Sequence, residues 1–146
     1  MRVMRCHCPC TRRSVLAVAA AAVAALATRA KAAPAEHREF IAAAFRMKDE
    51  AVRAGDQAYG AVVVQDGRII GFGPSRVVLK KDWTAHAERE AIREAQARLG
   101  TGDLSGCLLY SSSRPCSQCE AAAAAANIAR MIHGAAATDA GPPKRS

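Results

Sequence analysis

Two short segments of this 146-residue chain carry side chains that could do chemistry together: His86-Ala87-Glu88, and Pro115-Cys116-Ser117-Gln118-Cys119. A Cys-x-x-Cys at a helix start puts two sulfurs one turn apart on the same side, where the helix dipole favours thiolates. An imidazole and two thiolates are three soft ligands for Zn²⁺. They leave a fourth tetrahedral position for water, as in catalytic rather than closed structural sites. One Zn²⁺ per chain, so held, lowers the pKa of that water enough to present hydroxide near neutral pH. Glu88, two residues beyond His86, would lie beside the water without binding the metal, and could carry its proton to a leaving group. Taken singly, each piece is weak. Cys-x-x-Cys serves equally as a redox pair or half a structural zinc site, and a lone His at a helix start is usually capped or solvated. Their joint appearance, each after a strand and at a helix start, is a strong signal.

The elements that must position these residues are legible from period and punctuation. From Ala35 to Ala54, Phe40, Ala44, Met47 and Ala51 recur at helical spacing, and Gly55 is placed to end the helix. Tyr59–Val64 is an apolar, β-branched run, and Asp66-Gly67 links it to Arg68–Phe72 as a hairpin. Residues 74–82 read as a loop. Thr84 is placed to cap a helix running to Leu99, with Ala91, Ile92, Ala95 and Leu99 on one face and Gly100 as its stop. Gly102–Gly106 is a loop, Cys107–Tyr110 a strand, and Pro115 suits the first turn of a helix through Asn127. Ala129–His133 reads as a further strand, and Gly134–Ser146 has no pattern. The order αββαβαβ predicts an α/β sandwich of one sheet covered by helices, its last two strands reached through helical crossovers.

Charge and cysteine usage divide the chain near residue 32. The formal charge is +8, but residues 1–32 hold six Lys/Arg and no Asp/Glu, while residues 33–146 hold fifteen against thirteen. The near-neutral body has no basic stripe to offer a phosphate backbone, which argues against a nucleic-acid partner. Residues 1–13 are polar and basic, Ser14–Thr28 is an apolar run, and Ala30-Lys31-Ala32 has small residues where an A-x-A cleavage site needs them. The run is too short for a membrane-spanning helix, so no stable span is expected once it is removed. Thr11-Arg12-Arg13-Ser14-Val15-Leu16 resembles the twin-arginine export motif. Residues 1–32 are therefore expected to be a cleaved signal that sends the protein to the periplasm or cell exterior. A mis-called start codon would leave it cytoplasmic. Cys6, Cys8 and Cys10 would be lost with the leader, and the remaining Cys107, Cys116 and Cys119 are not a disulfide framework.

The His-x-Glu and Pro-Cys-x-x-Cys pair is a known signature of zinc-dependent base deaminases. With Tyr59-Gly60-Ala61-Val62-Val63-Val64, Thr84-Ala85-His86-Ala87-Glu88, Gly100–Cys107 and Arg114–Cys119, the chain resembles the cytidine and deoxycytidylate deaminase superfamily. Within it, the guanine deaminase and tRNA-adenosine deaminase-like branch is the nearest in motif. The resemblance implies a cytidine deaminase-like α/β/α sandwich over residues 33–140, with a mixed sheet of four to five strands and helices on both faces. Residues 141–146 would be a disordered tail. It implies a hydrolytic deaminase and usually a homodimer. His86, Cys116 and Cys119 would be the zinc ligands, Glu88 the proton shuttle, and Tyr59, Ser75 and Ala87 substrate contacts.

Several positions depart from the pattern of that branch. The loop after the hairpin ordinarily supplies an Asn to the base, and here Gly71-Phe72-Gly73-Pro74-Ser75-Arg76 puts Ser75 in its place. A hydroxyl is shorter than a carboxamide and lacks its paired donor and acceptor. Trp83 stands where Pro is usual, as a large ring expected at the entrance. Arg114 replaces an acidic residue, and Ala121–Ala126 replaces bulkier side chains. The chain also ends about where the family adds its fifth strand. The expected activity is deamination of a free nucleobase or nucleoside, of guanine or cytosine/cytidine type. A catalytically weak or inactive zinc-bearing protein is the alternative, and nucleic-acid editing is disfavoured by charge.

Overall fold

In the computed structural model, residues 34–145 are described, and they belong to one compact unit. The export signal, its cleavage site and the Cys6-Cys8-Cys10 cluster lie outside the described residues. Helix α1 spans Pro34–Arg53 and stops before Gly55, whose φ of +79° no β-carbon would favour. Strands β1 (Gly60–Gln65) and β2 (Arg68–Pro74) form an antiparallel hairpin. Asp66 and Gly67 both have positive φ, +48° and +74°, as the predicted tight hairpin turn requires. Then come α2 (Val77–Lys80), α3 (Ala87–Leu99), β3 (Leu108–Ser111), α4 (Ser117–Ala125), β4 (Arg130–His133) and β5 (Thr138–Gly141).

The five strands lie in the order β2-β1-β3-β4-β5; only β3 and β4 run parallel, joined through α4. The expected mixed sheet is present, with helices on both faces. On one face, Val62, Val64, Tyr110 and Ile132 pack against Phe40 and Ile41 of α1. On the other, Ala61, Val63, Leu109 and Met131 pack against Ala87, Ala91, Ile92 and Ala95 of α3 and Ala123 of α4. β1 is buried on both faces, which is why it reads as a continuous apolar run rather than an alternating one. Gly71 and Gly73 of β2 let α3 lie close, because a β-carbon at either would drive into the α3 backbone at Ala91 or Ala87. That close approach fixes where α3 begins, and so where His86 and Glu88 stand.

Four expectations need correction. Thr84 is not the cap of α3: the helix starts at Ala87 with His86 as its N-cap, while the Thr84 hydroxyl accepts from Arg93. Pro115 precedes α4 rather than opening it, and Cys116 is the N-cap. Residues 74–82 are not all loop, because Val77–Lys80 close one helical turn, α2, ended by Lys81 in the left-handed region. The segment after β4 is not patternless. Gly134 (φ +72°) and Ala137 (φ +51°) turn the chain back, and β5 pairs antiparallel with β4, braced by Arg130 on Asp139 at 2.8 Å. The sheet therefore has its fifth strand, and β4 is an inner strand rather than an exposed edge. No helix among the described residues is long and apolar enough to cross a membrane.

Candidate active site

The N-termini of α3 and α4 converge. His86 and Cys116 are the N-cap residues of their helices, both with extended backbone (φ −62°, ψ 152° and φ −74°, ψ 165°). Neither side chain makes the usual cap hydrogen bond to its own helix. Each is turned instead toward the other helix. His86 Nδ1 lies 3.7 Å from Cys116 Sγ and 3.4 Å from Cys119 Sγ, and Cys119 sits in the first turn of α4. The three ligand atoms all fall within 4.8 Å of one another. Ligand bonds of about 2.1 Å to nitrogen and 2.3 Å to sulfur place tetrahedral N and S neighbours about 3.6 Å apart. The observed spacings fit one Zn²⁺ without rearrangement, and both helix dipoles direct their positive ends at the thiolates.

Burial sharpens the electrostatics. Cys119 is fully buried and Cys116 is exposed, so the cluster has a dry side and a wet side. Burial pushes the Cys119 thiol up, and the neighbouring Glu88 carboxylate and Cys116 add to that. Glu88 is 6% exposed, and burial raises its carboxyl above the ordinary glutamate value; its own backbone N–H, the Cys119 thiol and His86 offset part of that. Burial thus disfavours the ionised forms of both Cys119 and Glu88. A divalent cation held by His86, Cys116 and Cys119 reverses that preference, because it draws the thiols into their thiolate form.

A cavity of about 350 Å³ opens onto this cluster. His86, Glu88 and Cys116 line it together with Gln57 and Tyr59 from the segment before β1 and Ser113 and Arg114 from the segment before α4. Tyr59 lines this cavity. Ser75 lines no part of this cavity: it is fully buried, donating its hydroxyl to Asp56 Oδ1 at 2.9 Å. Ala87 is also buried, packed in the core between α3 and the sheet. Trp83 is 66% exposed and does not line the cavity. Gln57 and Ser113 were missed by sequence reasoning. No local pattern marks them, since they reach the site through loops whose course is set elsewhere. A larger hollow of about 470 Å³ between α1, β2 and α3 contains none of the ligating residues, and its charges are paired, Arg76 with Glu50 and both Lys80 and Arg93 with Glu90.

Known proteins place the arrangement. Residues 34–135 match the family model described as the cytidine and deoxycytidylate deaminase zinc-binding region. Guanine deaminase of Bacillus subtilis (strain 168) is 41% identical over 105 residues, covering 71% of this chain and 67% of that protein. A tRNA-specific adenosine deaminase of Aquifex aeolicus (strain VF5) is 40% identical over 96 residues, 66% of this chain and 64% of that one. The X-ray structure of the Bacillus subtilis guanine deaminase superposes with a TM-score of 0.65 at 40% identity, over 68% of this chain and 64% of that chain. The chain thus spans about two thirds of the length of these relatives. A His–Cys–Cys zinc site at two converging helix N-termini, on a five-stranded mixed sheet and matched by that model over residues 34–135, makes this chain a member of the cytidine and deoxycytidylate deaminase family.

Proposed function

We propose that the protein is a hydrolytic deaminase of a free nucleobase or nucleoside, of guanine or cytosine/cytidine type. The observation that carries this reading is the buried Glu88 beside the His86–Cys116–Cys119 cluster, on the wall of a cavity sized for a small ligand. The 41% identity to a guanine deaminase supports a free base, and the near-neutral charge of residues 33–146 disfavours a polynucleotide.

The chemistry divides among few groups. Zn²⁺ held by His86, Cys116 and Cys119 supplies Lewis acidity that makes water nucleophilic near neutral pH. Glu88 accepts a proton from the attacking water and delivers it to the ring nitrogen next to the amine-bearing carbon. As the new C–O bond is kept and the C–N bond breaks, Glu88 passes the second proton to the departing amine, which leaves as ammonia. The raised pKa of the Glu88 carboxyl suits it to receive a proton and give it back. Tyr59, half exposed in the lining of the same cavity, offers a ring face to a planar base.

Ammonia release from guanine, cytosine, adenine and their nucleosides by the zinc-loaded chain tests the proposal, with turnover of at least one expected. No ammonia from any of them would leave a zinc-bearing protein without this activity. Export through residues 11–16 is part of the same proposal. Arg12→Lys with Arg13→Lys is expected to stop processing, and unimpaired processing would place the protein on another route. The homodimer implied by the family resemblance is supported by the small Ala121, Ala122 and Ala125 side chains on α4, and sizing the purified protein tests it.

A further inference from the structure

A carboxamide presents a hydrogen-bond donor and an acceptor side by side, which a planar base with a mixed edge can pair with twice. Ser75, where the family resemblance leads one to expect that carboxamide, is committed elsewhere. Its hydroxyl donates to Asp56 Oδ1 at 2.9 Å, and its backbone N–H donates to the Tyr59 carbonyl at 3.0 Å. One residue bearing a carboxamide does line the cavity, Gln57. Its backbone is held on both sides: the Gln57 N–H donates to Asp56 Oδ1 at 2.7 Å, and the Gln57 carbonyl accepts from Tyr59 N–H at 2.7 Å. Gln57 is exposed, and among the described residues its side-chain amide has no hydrogen-bond partner, on a residue that lines the same cavity as His86 and Glu88.

We propose that Gln57 is the specificity-determining residue that reads the edge of the base, with Asp56 as its positioning residue. The proposal rests on the deaminase reading of the site. Asp56 collects the Ser75 hydroxyl and the Gln57, Val78 and Leu79 amides on one carboxylate, so the loop ahead of β1 and the loop after β2 are tied at one point. The serine locks the loop, and the glutamine is released to face the substrate. A carboxamide makes two hydrogen bonds with a ring N–H beside a ring carbonyl, the lactam edge that guanine carries next to its amine-bearing carbon. Over the same two ring positions beside that carbon, adenine offers a bare nitrogen and a C–H, and cytosine two acceptors, so each gives the carboxamide one bond while the amine is left to the reaction. The wall therefore favours an amino-lactam base.

The test separates reading from turnover. In the full-length, zinc-loaded chain carrying Glu88→Gln, equilibrium dialysis gives the affinities for guanine and adenine. Adding Gln57→Leu is expected to weaken guanine about tenfold and adenine less than about twofold, so the guanine-to-adenine ratio collapses. Ser75→Ala is expected to leave the ratio where it was. An unchanged ratio in Gln57→Leu, a collapse in Ser75→Ala alone, or no binding of either base by the parent overturns the proposal. Zinc content equal to that of the parent shows that each variant keeps its site. No ammonia release by the zinc-loaded chain with Glu88 intact, with the ratio behaving as expected, would defeat the deaminase reading while leaving the reading residue in place.

Discussion

His86 and Cys116 occupy helix positions where Ser, Thr, Asp or Asn would ordinarily satisfy a free amide, a bond worth about 1 kcal/mol each. Neither makes it, because both side chains are turned into the candidate metal cluster. Cys116→Ser separates the two demands. The serine restores a cap, so the metal-free variant is expected to be at least as stable as metal-free parent, while bound zinc falls well below one per chain. Elemental analysis with thermal melts in chelator checks both halves. Glu88→Gln is nearly isosteric but carries no exchangeable acid proton, so zinc is kept and turnover falls at least ~100-fold, read from ammonia release. These residues were legible because their types and spacing are the chemistry itself. Gln57 was not, since its usefulness depends on Asp56 and Ser75 meeting across 19 positions of chain, a contact no local pattern encodes.

Helices and strands with a clear period, α1, α3 and the β1–β2 hairpin, were legible nearly to their ends, because burial on one side imposes the period. α2 and β5 were not. α2 has no capping side chain of its own; its Val78 and Leu79 amides are received by Asp56, 22 and 23 residues upstream. β5 is Thr-Asp-Ala-Gly, a sequence with little strand preference, and it is a strand because β4 and Arg130 offer it partners. Burial would raise the Asp56 carboxyl, but hydrogen bonds from Leu79, Gln57, Ser75 and Val78 outweigh that and hold it below the ordinary value. With a folded value below the unfolded one, its contribution is complete above the ordinary carboxylate pKa of about 3.9 and is lost as pH falls through the lowered value. Protection of the Val78 and Leu79 amides, corrected for intrinsic exchange, is therefore expected to be flat at neutral pH and to fall only below about pH 4; Asp56→Ala should remove it throughout. At the α3 contact, Gly73→Ala pushes a methyl into the Ala87 carbonyl. A loss of about 1–3 kcal/mol in unfolding free energy is expected, together with weaker zinc retention, because the shifted helix carries His86.

Across the whole molecule, the sheet separates two cores of different texture. The α1 side is closed by Phe40, Ile41 and Tyr110, whose buried hydroxyl meets His37 Nδ1 at 2.9 Å. On the α3–α4 side six of the thirteen buried core residues are alanine, and the two helices that pack there carry the candidate metal ligands at their N-termini. Tyr110→Phe is expected to cost about 1 kcal/mol on the first side without touching zinc. Chelation acts on the second, where the ion joins two helices that share a small-residue interface; a fall in Tm of at least about 5 °C is expected, reversed by added zinc. Trp83, the chain's single tryptophan, stands three residues before His86, with its ring mostly in water. The tryptophan emission of the protein is therefore expected to be that of one solvated indole. A second copy that covers Trp83 shifts that emission to the blue, while a change confined to the α1 side leaves it untouched.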